Sequence, residues 1–475
     1  MNTFVFSSQI LNNLPGLIYS LDNTAIGQTD TRFSNVQPVQ PPANVSPASF
    51  KQPAAFSSAS ISVVDPNLKF ATVHQWDFSI QREIRKGLVI EADYIGRRGY
   101  HLFGAYDANQ PNAFAPGMQD AFATVKAGGQ SDLLNRLFSG DNRIAAGKTA
   151  SDMIRAQYVS QLNLNSFAGI LSTEGRRVQS TPNGSRNVTA ISGAGPFAVI
   201  PFPQFSGGVT VLDSNDFSTY HGLVLQAQQR FHNGIYFQFS YTFSKSLSTR
   251  DFDPTFTVVS TGSSQGASST PFDIYNSRKL NYGEPQSDHR HAFQSHGTID
   301  LPFGHGKAFA AHAPVVIDRV IGGWELAPIF TFYSGRPFTV YSGANTFGSV
   351  VQSTANCSGC SHNLGAVQHV NGFNWFFNPN TDTAKFSAPA GGSFGNTGKG
   401  YFFGPRVFDI DMSLIKRIPV TERINLELRA DATNITNTPS FGLPSATFTS
   451  STFGRIGNSV ESASRKFQLG VKVNF

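Results

Sequence analysis

The feature that most constrains this chain is a two-residue alternation of apolar and polar side chains, sustained over segments of about 10 to 12 residues. Within Val73–Ile84, every second residue from Trp76 to Ile80 is apolar, and the residues between them are polar. After the turn Arg85–Gly87, the alternation resumes at Leu88. A period of two predicts strands with one apolar and one polar face, here joined as a hairpin.

The same pattern returns along the rest of the chain. The later segments are Leu223–Phe231 and Ile235–Ser244, His291–Leu301 and Trp324–Ser334, Phe408–Lys416 and Ile424–Asn434, and a last strand Arg465–Phe475. These segments are nearly twice as long as an average strand of about 5 to 6 residues, and they are long enough to cross a tilted bilayer path. A β-sandwich also has alternating strands. The length nevertheless favours an all-β fold, part of an antiparallel transmembrane β-barrel with about ten recognisable strands.

The connections between these strands alternate in length. The short turns are Arg85–Gly87, His232–Gly234 and Arg417–Arg423, and Pro302–Gly323 is a longer exception at the same end. The long connections are Tyr100–Ser218, Lys245–His289, Gly335–Val407 and Ile435–Ser464. Short periplasmic turns and long extracellular loops are typical of outer-membrane barrels.

Composition supports a membrane barrel and argues against other classes. Charged residues make up 14% of the chain and 43 of its 475 residues are Phe, unlike the charged, aromatic-poor profile of disordered chains. No run approaches the roughly 18 to 20 apolar residues of a transmembrane helix. The net charge of +6 comes from scattered basic residues, so no nucleic-acid partner is expected. We predict location in the cell outer membrane, with its lipid as a partner.

The first 72 residues differ from the rest because they are polar and punctuated by Pro. We expect a loop or linker over residues 1–72, with room for one barrel strand, and a barrel portion over residues 73–475. Strand parity requires one further strand before residue 72, because the strand at 73–84 runs toward the periplasm. We expect that strand in residues 1–30, with its absence from the chain as the alternative. The start Met1–Phe6 lacks the regions of a signal peptide, which an outer-membrane protein needs. The expectation is therefore that the chain is a fragment, with an error in the outer-membrane interpretation as the alternative.

The last strand keeps its alternation through to the final residue. Its apolar residues are Phe467, Leu469, Val471, Val473 and Phe475. An exposed edge strand with a terminal aromatic anchor can be captured by β-augmentation. We therefore predict that these residues form the signal read by the barrel-assembly machinery, with an ordinary edge strand as the alternative.

Several motifs, in the same order along the chain, resemble one family. They are HQWDFSIQR at His74–Arg82, YIGRRG at Tyr94–Gly99, YTFSKSL at Tyr241–Leu247, IGGW at Ile321–Trp324, SGRPFT at Ser334–Thr339, and FDID to RADATN across Phe408–Asn434. Together they resemble the C-terminal part of Oar-like TonB-dependent receptors of acidobacteria and their relatives. The resemblance covers residues 65–475 and is patchy in the loops.

That resemblance implies a barrel of about 22 strands around an N-terminal plug, with ligand uptake driven by the TonB complex. This sequence shows no plug or TonB box and supplies about half of such a barrel. We therefore expect a plug-bearing N-terminal part and the TonB complex as partners, and an extracellular ligand that the sequence does not identify. The alternatives are a surface structural or adhesion protein and a small porin-like barrel.

The two cysteines of the chain, Cys357 and Cys360, lie in a long loop near His362. A structural zinc site requires four ligands at a set spacing, and a thioredoxin-like redox pair requires a βαβ setting. Neither context accompanies these cysteines. An extracellular loop is oxidising, so we predict a local disulfide, with a metal site as the alternative.

No catalytic constellation is found in the sequence. Ser413–Lys416 matches the S-x-x-K string, but strand residues three apart point to opposite faces. The histidines between His289 and His312 are expected at interfaces and turns, with metal or haem capture as the alternative. Loop aromatics at Trp375–Phe377 could stack on carbohydrate. We expect no enzymatic activity and no cofactor.

Overall fold

A computed structural model describes residues 60–250, 273–274, 278–421, 424–457 and 464–474. One ten-stranded sheet dominates these ranges. Its strands are β1 (Ser60–Val64), β2 (Thr72–Arg85), β3 (Leu88–Asp107), β4 (Gly208–His232), β5 (Ile235–Ser248), β6 (His291–Asp300), β7 (Trp324–Tyr333), β8 (Val407–Pro419), β9 (Asn425–Thr433) and β10 (Lys466–Asn474).

The sheet is an antiparallel meander. From β2 to β10, each strand is hydrogen-bonded to the next one in the sequence. The exception is β1, which pairs in parallel with the first residues of β4. The predicted all-β antiparallel architecture is therefore confirmed. The outermost strands are β2 and β10, and no pairing joins them within the described residues.

The strand register places the apolar rows of the sequence on one face of the sheet. Tyr94 lies opposite Phe78 on one side and Leu223 on the other, and Leu223 in turn lies opposite Phe243. At the other side of the sheet, Leu428 lies opposite Val471 on the same face. Because paired residues in an antiparallel sheet point the same way, the alternation of each strand adds up to one continuous apolar face.

The tight turns lie at one end of the sheet. Between β4 and β5, Asn233 and Gly234 both have positive φ values, of 52° and 80°. Two consecutive positive φ values fit a two-residue turn whose twist matches that of the strands, and Asn-Gly is the preferred sequence for it. The sequence therefore fixes this hairpin locally.

Two strands are longer than the alternation predicts. The predicted bounds of the loop Tyr100–Ser218 are wrong at both ends, because β3 continues to Asp107 and β4 already begins at Gly208. The added residues pair with each other, and β1 adds a third strand beside them. At 20 and 25 residues, β3 and β4 exceed the roughly 9 to 11 residues of a membrane crossing. Their far ends therefore rise above the rest of the sheet.

The long connections carry the helices and the short strand pairs. The helices are α1 (Met118–Lys126), α2 (Asp132–Phe138), α3 (Ala150–Gln157), α4 (Val159–Asn163), α5 (Phe167–Gly175), α6 (Val188–Ile191) and, at the tight-turn end, α7 (Val315–Ile321), with single 3-10 turns at Arg278–Asn281 and Thr383–Lys385. The short pairs are Val178–Thr181 with Gly184–Asn187, Pro337–Phe338 with Phe402–Phe403, Asn356–Cys357 with Phe386–Ser387, and Gln368–Val370 with Phe373–Trp375.

No helix in the described ranges is long and apolar enough to span a membrane. The residues 1–30, where the additional strand is expected unless the chain lacks it, lie outside the described residues. Ser60–Val64 is the one described strand before residue 72. The division of the chain at residue 72 remains a prediction.

Candidate functional site

The candidate site has two layers, the polar face of the sheet and the folded loops at one end of it. The polar face is built by the residues between the apolar rows. Its members include Ser79, Gln81, Glu91, Asp93, Gln226, Gln228, Gln238, Ser240, Thr242, Gln294, His296, Asp409, Asp411, Ser413, Glu427, Arg429, Asp431 and Lys472.

Polar and charged groups on the polar face pair with each other, both along one strand and across neighbouring strands. Ser413 Oγ donates to Asp431 Oδ1 at 2.5 Å, and Arg429 Nε donates to the same oxygen at 2.7 Å. Near the tight turns, Arg417 Nη1 lies 2.6 Å from Glu325 Oε2, and its Nε lies 3.5 Å from Glu427 Oε2. Ion pairs of this kind persist on a surface that water can reach. The face is therefore suited to line an aqueous path.

The first folded unit of the loops lies between β3 and β4 and is helical. Its core is formed by buried residues of α1 to α6 and of the chain after α6. Phe122 and Phe167 stack with ring centroids 5.3 Å apart. A capping box begins α3, since Thr149 Oγ1 accepts the Asp152 N–H while the Asp152 carboxylate accepts the Thr149 N–H. This arrangement satisfies two of the free donors at the start of the helix.

A buried ionic cluster fixes α5 in this unit. Arg143 Nη2 lies 2.6 Å from both Asp141 Oδ2 and Glu174 Oε2, and Tyr158 donates its hydroxyl to Glu174. Burial and the hydrogen bond to Glu174 raise the pKa of Tyr158 to about 12. Burial alone would raise the pKa of Asp141, but the hydrogen bonds and charge of Arg143 outweigh it and lower that pKa.

Beside this cluster lies a cavity of about 380 Å3. Arg143, Lys148 and Arg155 contribute positive charge to its lining, Asp152 contributes one carboxylate, and Met153 contributes apolar surface. A cavity with apolar walls and a few polar groups is typical of small-molecule sites. Because Arg143 is paired with Asp141 and Glu174, and Arg155 with Asp152, much of this positive charge is neutralised within the cap.

The second folded unit combines the connection between β7 and β8 with the connection between β9 and β10. Its core is a cluster of aromatic rings around Phe377, which is fully buried. Phe386, Phe402 and Phe453 lie with their ring centroids 5.2 to 5.4 Å from that of Phe377. Phe376 is buried with them. The prediction that Phe376 and Phe377 stack on carbohydrate as exposed loop aromatics is therefore wrong.

The two units dock on each other and form one layer, here called the cap. Asn165 Nδ2 donates to Pro389 O at 2.9 Å, and Asn345 N donates to Ser166 Oγ at 3.0 Å. Below the cap, Arg278 is bound to Asp213 and Asp216 at the raised end of β4. The cap therefore lies at the end of the sheet that carries the long connections.

The sequence places this architecture in a known family. A family model described as an outer membrane beta barrel domain matches residues 1–468. The chain belongs to the outer-membrane β-barrel family. This membership identifies the cell outer membrane as its location, the apolar face as the lipid-facing side and the polar face as the lumenal side. No curated protein matches the sequence.

Solved structures similar to this outer-membrane barrel are much longer chains. They are the outer-membrane transporter YddB from Escherichia coli (TM-score 0.37, 9% identity, 88% of this chain and 34% of that one), the FrpB iron transporter from Neisseria meningitidis (TM-score 0.32, 8% identity, 88% and 33%), and the ferric-catecholate import receptor Fiu from E. coli K12 (TM-score 0.31, 8% identity, 89% and 30%). This barrel chain spans about a third of the length of each.

The residues predicted as the assembly signal lie on the edge strand β10. Phe467, Leu469, Val471 and Val473 are all exposed on the lipid-facing row, and Phe475 lies outside the described residues. Their reading by the assembly machinery remains a prediction. The position itself fits, because an edge strand offers free backbone groups to a partner.

The structure joins Cys357 and Cys360 as a disulfide within the second unit of the cap. Cys357 is buried against the aromatic cluster and Cys360 packs beside it. Formation of this bond in the cell remains a prediction. The described residues contain no group of three or more His, Cys, Asp or Glu side chains that could hold a metal ion.

The histidines near β6 bind neighbouring groups separately. His291 Nδ1 lies 2.8 Å from the Tyr241 hydroxyl, and His289 Nδ1 lies 2.7 Å from Ser334 O.

Sequence reasoning missed the helical unit, its ionic cluster and its cavity, because the segment 100–218 was interpreted as a loop. The capping pattern from Thr149 to Asp152 was the available signal.

Proposed function

We propose that this chain is the C-terminal barrel portion of an Oar-like TonB-dependent receptor, which takes up an extracellular ligand together with the remainder of the receptor. The open sheet carries this proposal. All 14 residues of β2 are exposed, and β10 forms the other edge. Lipid offers no hydrogen-bonding partner for the backbone of an edge strand, so both edges need further strands. A larger barrel supplies them.

The lumenal face and the cap support uptake rather than a purely structural role. Polar and charged side chains predominate on the lumenal side of the sheet, and the cap holds a cavity lined by charged and apolar side chains, among them Lys148 and Met153. We propose that the ligand contacts the cap before it enters the lumen. The further partners in this proposal are a plug-bearing N-terminal part, the TonB complex and the barrel-assembly machinery. Enzymatic activity is not part of it.

Heat-modifiable migration on gels tests the proposal directly. The chain is expressed with and without the coding region upstream of it, and outer membranes are compared unheated and boiled. The proposal predicts a heat-modifiable barrel only when the upstream region is present. If the chain alone migrates as a compact barrel and conducts ions in planar bilayers, it is an autonomous porin-like barrel and the proposal fails.

A surface adhesion role is the second candidate, favoured by the two packed cores of the cap. Loops that fold into a dense layer present a stable surface to other cells or matrices. Deleting the helical unit, residues 110–206, separates the two functions. Lost adhesion with unchanged growth on scarce nutrients would favour the adhesion role, and the reverse result would favour uptake.

The assembly signal has its own test. Deleting Phe475 should lower the amount of assembled protein in the outer membrane, since the terminal aromatic anchor is lost. Lys472→Gln is the matched control, because Lys472 belongs to the lumenal row of the same strand. Normal assembly of the deletion variant would contradict the prediction that Phe475 is part of the assembly signal.

The disulfide is tested with a thiol reagent under denaturing conditions. Protein from outer membranes should bind the reagent at Cys357 and Cys360 only after reduction. Labelling without a reductant would contradict the proposed disulfide.

A further inference from the structure

The connection between β6 and β7 is the one long connection found at the tight-turn end within the described residues. It contains α7, Val315–Ile321, and none of the seven side chains of this helix is buried. Val315, Val316 and Val320 are 70%, 77% and 67% exposed. Exposed valines at adjacent positions cost free energy in water, since burial of apolar area contributes about 25 cal/mol per Å2. Another apolar phase must cover them.

Two phenylalanines extend the exposed apolar surface of α7. Phe303 and Phe309 are both exposed, and their ring centroids lie 5.6 Å apart. Asp318 holds this part of the connection against the helix, because its Oδ1 accepts the N–H of His305 at 2.5 Å. The valines of α7 together with Phe303 and Phe309 therefore form one exposed apolar patch, built from the helix and from the loop before it.

Contacts at the C-terminal end of α7 fix it to the lipid-facing row of the sheet. Trp324 Nε1 donates to Val320 O at 3.0 Å, and Lys416 Nζ donates to Val320 O at 3.2 Å and to Gly322 O. Trp324 and Lys416 are themselves paired across β7 and β8, two residues from the lipid-facing pair Leu326 and Leu414. The patch is thus continuous with the surface that the outer membrane covers.

We propose that α7 is an interfacial anchor, whose valines and neighbouring phenylalanines insert among the phospholipids of the inner leaflet of the outer membrane. A short helix with apolar side chains around much of its surface lies in the membrane interface rather than across it. Trp324 sits where aromatic rings favour the headgroup region. Arg319 lies on the exposed surface of α7, and its long side chain can reach a phosphate while the helix remains in the acyl region.

The test uses nitroxide labels on the full chain in outer membranes, expressed together with its upstream region and with both Cys357 and Cys360 replaced by Ser. A label at Val316→Cys, repeated at Val315→Cys, reports its accessibility to oxygen, which partitions into acyl chains, and to a water-soluble nickel chelate. Ile90→Cys is the control for insertion, since Ile90 lies on the lipid-facing row near the same end. Val159→Cys is the control in the cap, an exposed apolar position on the aqueous side.

The proposal predicts that the labels on α7 match Ile90→Cys, with high oxygen and several-fold lower nickel accessibility than Val159→Cys. High nickel accessibility on α7 would overturn it. Protection from both reagents would indicate a protein partner and would overturn it equally. A water-accessible label at Ile90→Cys would instead contradict the lipid-facing side of the sheet, and with it the membrane anchor. The anchor does not depend on uptake, so failure of the proposed transport leaves it unchanged.

Discussion

The sheet and the cap use the same kinds of side chain in opposite ways. In the cap, Phe377 and its aromatic neighbours are buried against each other. In the sheet, comparable residues such as Phe243 and Leu469 remain exposed to the surroundings. Nearly all the buried apolar residues of the described chain belong to the loops. A protein in water collects its apolar side chains inside, whereas a membrane sheet turns them toward lipid.

This contrast teaches that the two regions are stabilised by different means. The cap has its own packed cores and ion pairs, and it should respond to mutation as an ordinary aqueous domain does. The sheet gains its stability from lipid, from backbone pairing and from the strands that complete the barrel. Matched substitutions in the two regions should therefore give different results.

The largest effect is expected from Phe377→Ala in the cap. Phe377 is completely buried, and truncation of a buried Phe costs about 3 to 5 kcal/mol through lost contacts and a cavity. Urea titration of the cap, followed by limited proteolysis, measures the loss. Phe243→Ala is the control in the sheet, and it should leave the cap unchanged. Equal protease resistance of the two variants would contradict the buried aromatic core.

Next comes a pair of neighbours on β4, Leu225 and Gln226. Leu225 lies on the lipid-facing row and Gln226 on the lumenal row. Leu225→Lys should destabilise the folded barrel by about 2 to 4 kcal/mol, the cost of a lysine on the lipid side at mid-depth. Gln226→Lys should have little effect, because its ammonium remains in water. Refolding titrations in liposomes measure both, and equal losses would show that the faces are assigned wrongly.

A somewhat smaller loss is expected from Arg143→Ala. This change leaves Asp141 and Glu174, whose carboxylates are fully buried, without their shared cation. Breaking a buried ion pair costs about 3 to 5 kcal/mol, and partial exposure of Arg143 reduces the expected loss to about 2 kcal/mol. Arg186→Ala, an exposed position in the same unit, is the control. Unchanged stability of the Arg143 variant in urea would contradict the role of the ionic cluster in stabilising the cap.

The smallest effect is expected from the capping box of α3. Thr149→Ala should cost about 1 kcal/mol at neutral pH, measured by urea titration of the cap with Thr173→Ala as the control. Hydrogen bonds from the Thr149 N–H and from Gln130 lower the pKa of Asp152 to about 2. A carboxylate with a lowered folded pKa stabilises above its unfolded value of about 3.9. This stabilisation is lost as the pH falls toward about 2.

Acid titration completes this test. Asp152→Asn has no carboxylate to protonate, so its cap should lose less stability than the wild type between about pH 4 and pH 2. An identical acid response of the two proteins would contradict the lowered pKa.

The membrane strands could be predicted from the sequence because the alternation of apolar and polar residues within each strand reflects which side chains face lipid. Every second residue of a segment such as Ile235–Ser248 faces lipid, so the period of two is visible without knowledge of its neighbours. The Asn233–Gly234 turn adds an equally local signal. The antiparallel sheet and the positions of most of its strands follow from these signals alone.

The cap could not be predicted in the same way. Its helices are short, from four residues in α6 to nine in α1 and α5, and short helices depend on tertiary packing rather than on their own periodicity. The ion pair between Arg143 and Glu174 joins residues 31 positions apart, which no local pattern reveals. The raised ends of β3 and β4 bury Ala105, Val209 and Leu212 within the protein rather than exposing them to lipid, so the regular alternation ends before the strands do.

The central claim is that one face of the sheet meets lipid while the other lines water. Nitroxide labels placed singly along β4, from Leu223 to Gln228, test it most directly in outer membranes. The account predicts alternation, with oxygen favoured at Leu223, Leu225 and Ala227 and the nickel chelate favoured at the three residues between and after them. Uniform accessibility along these six positions, or alternation in the opposite phase, would contradict it.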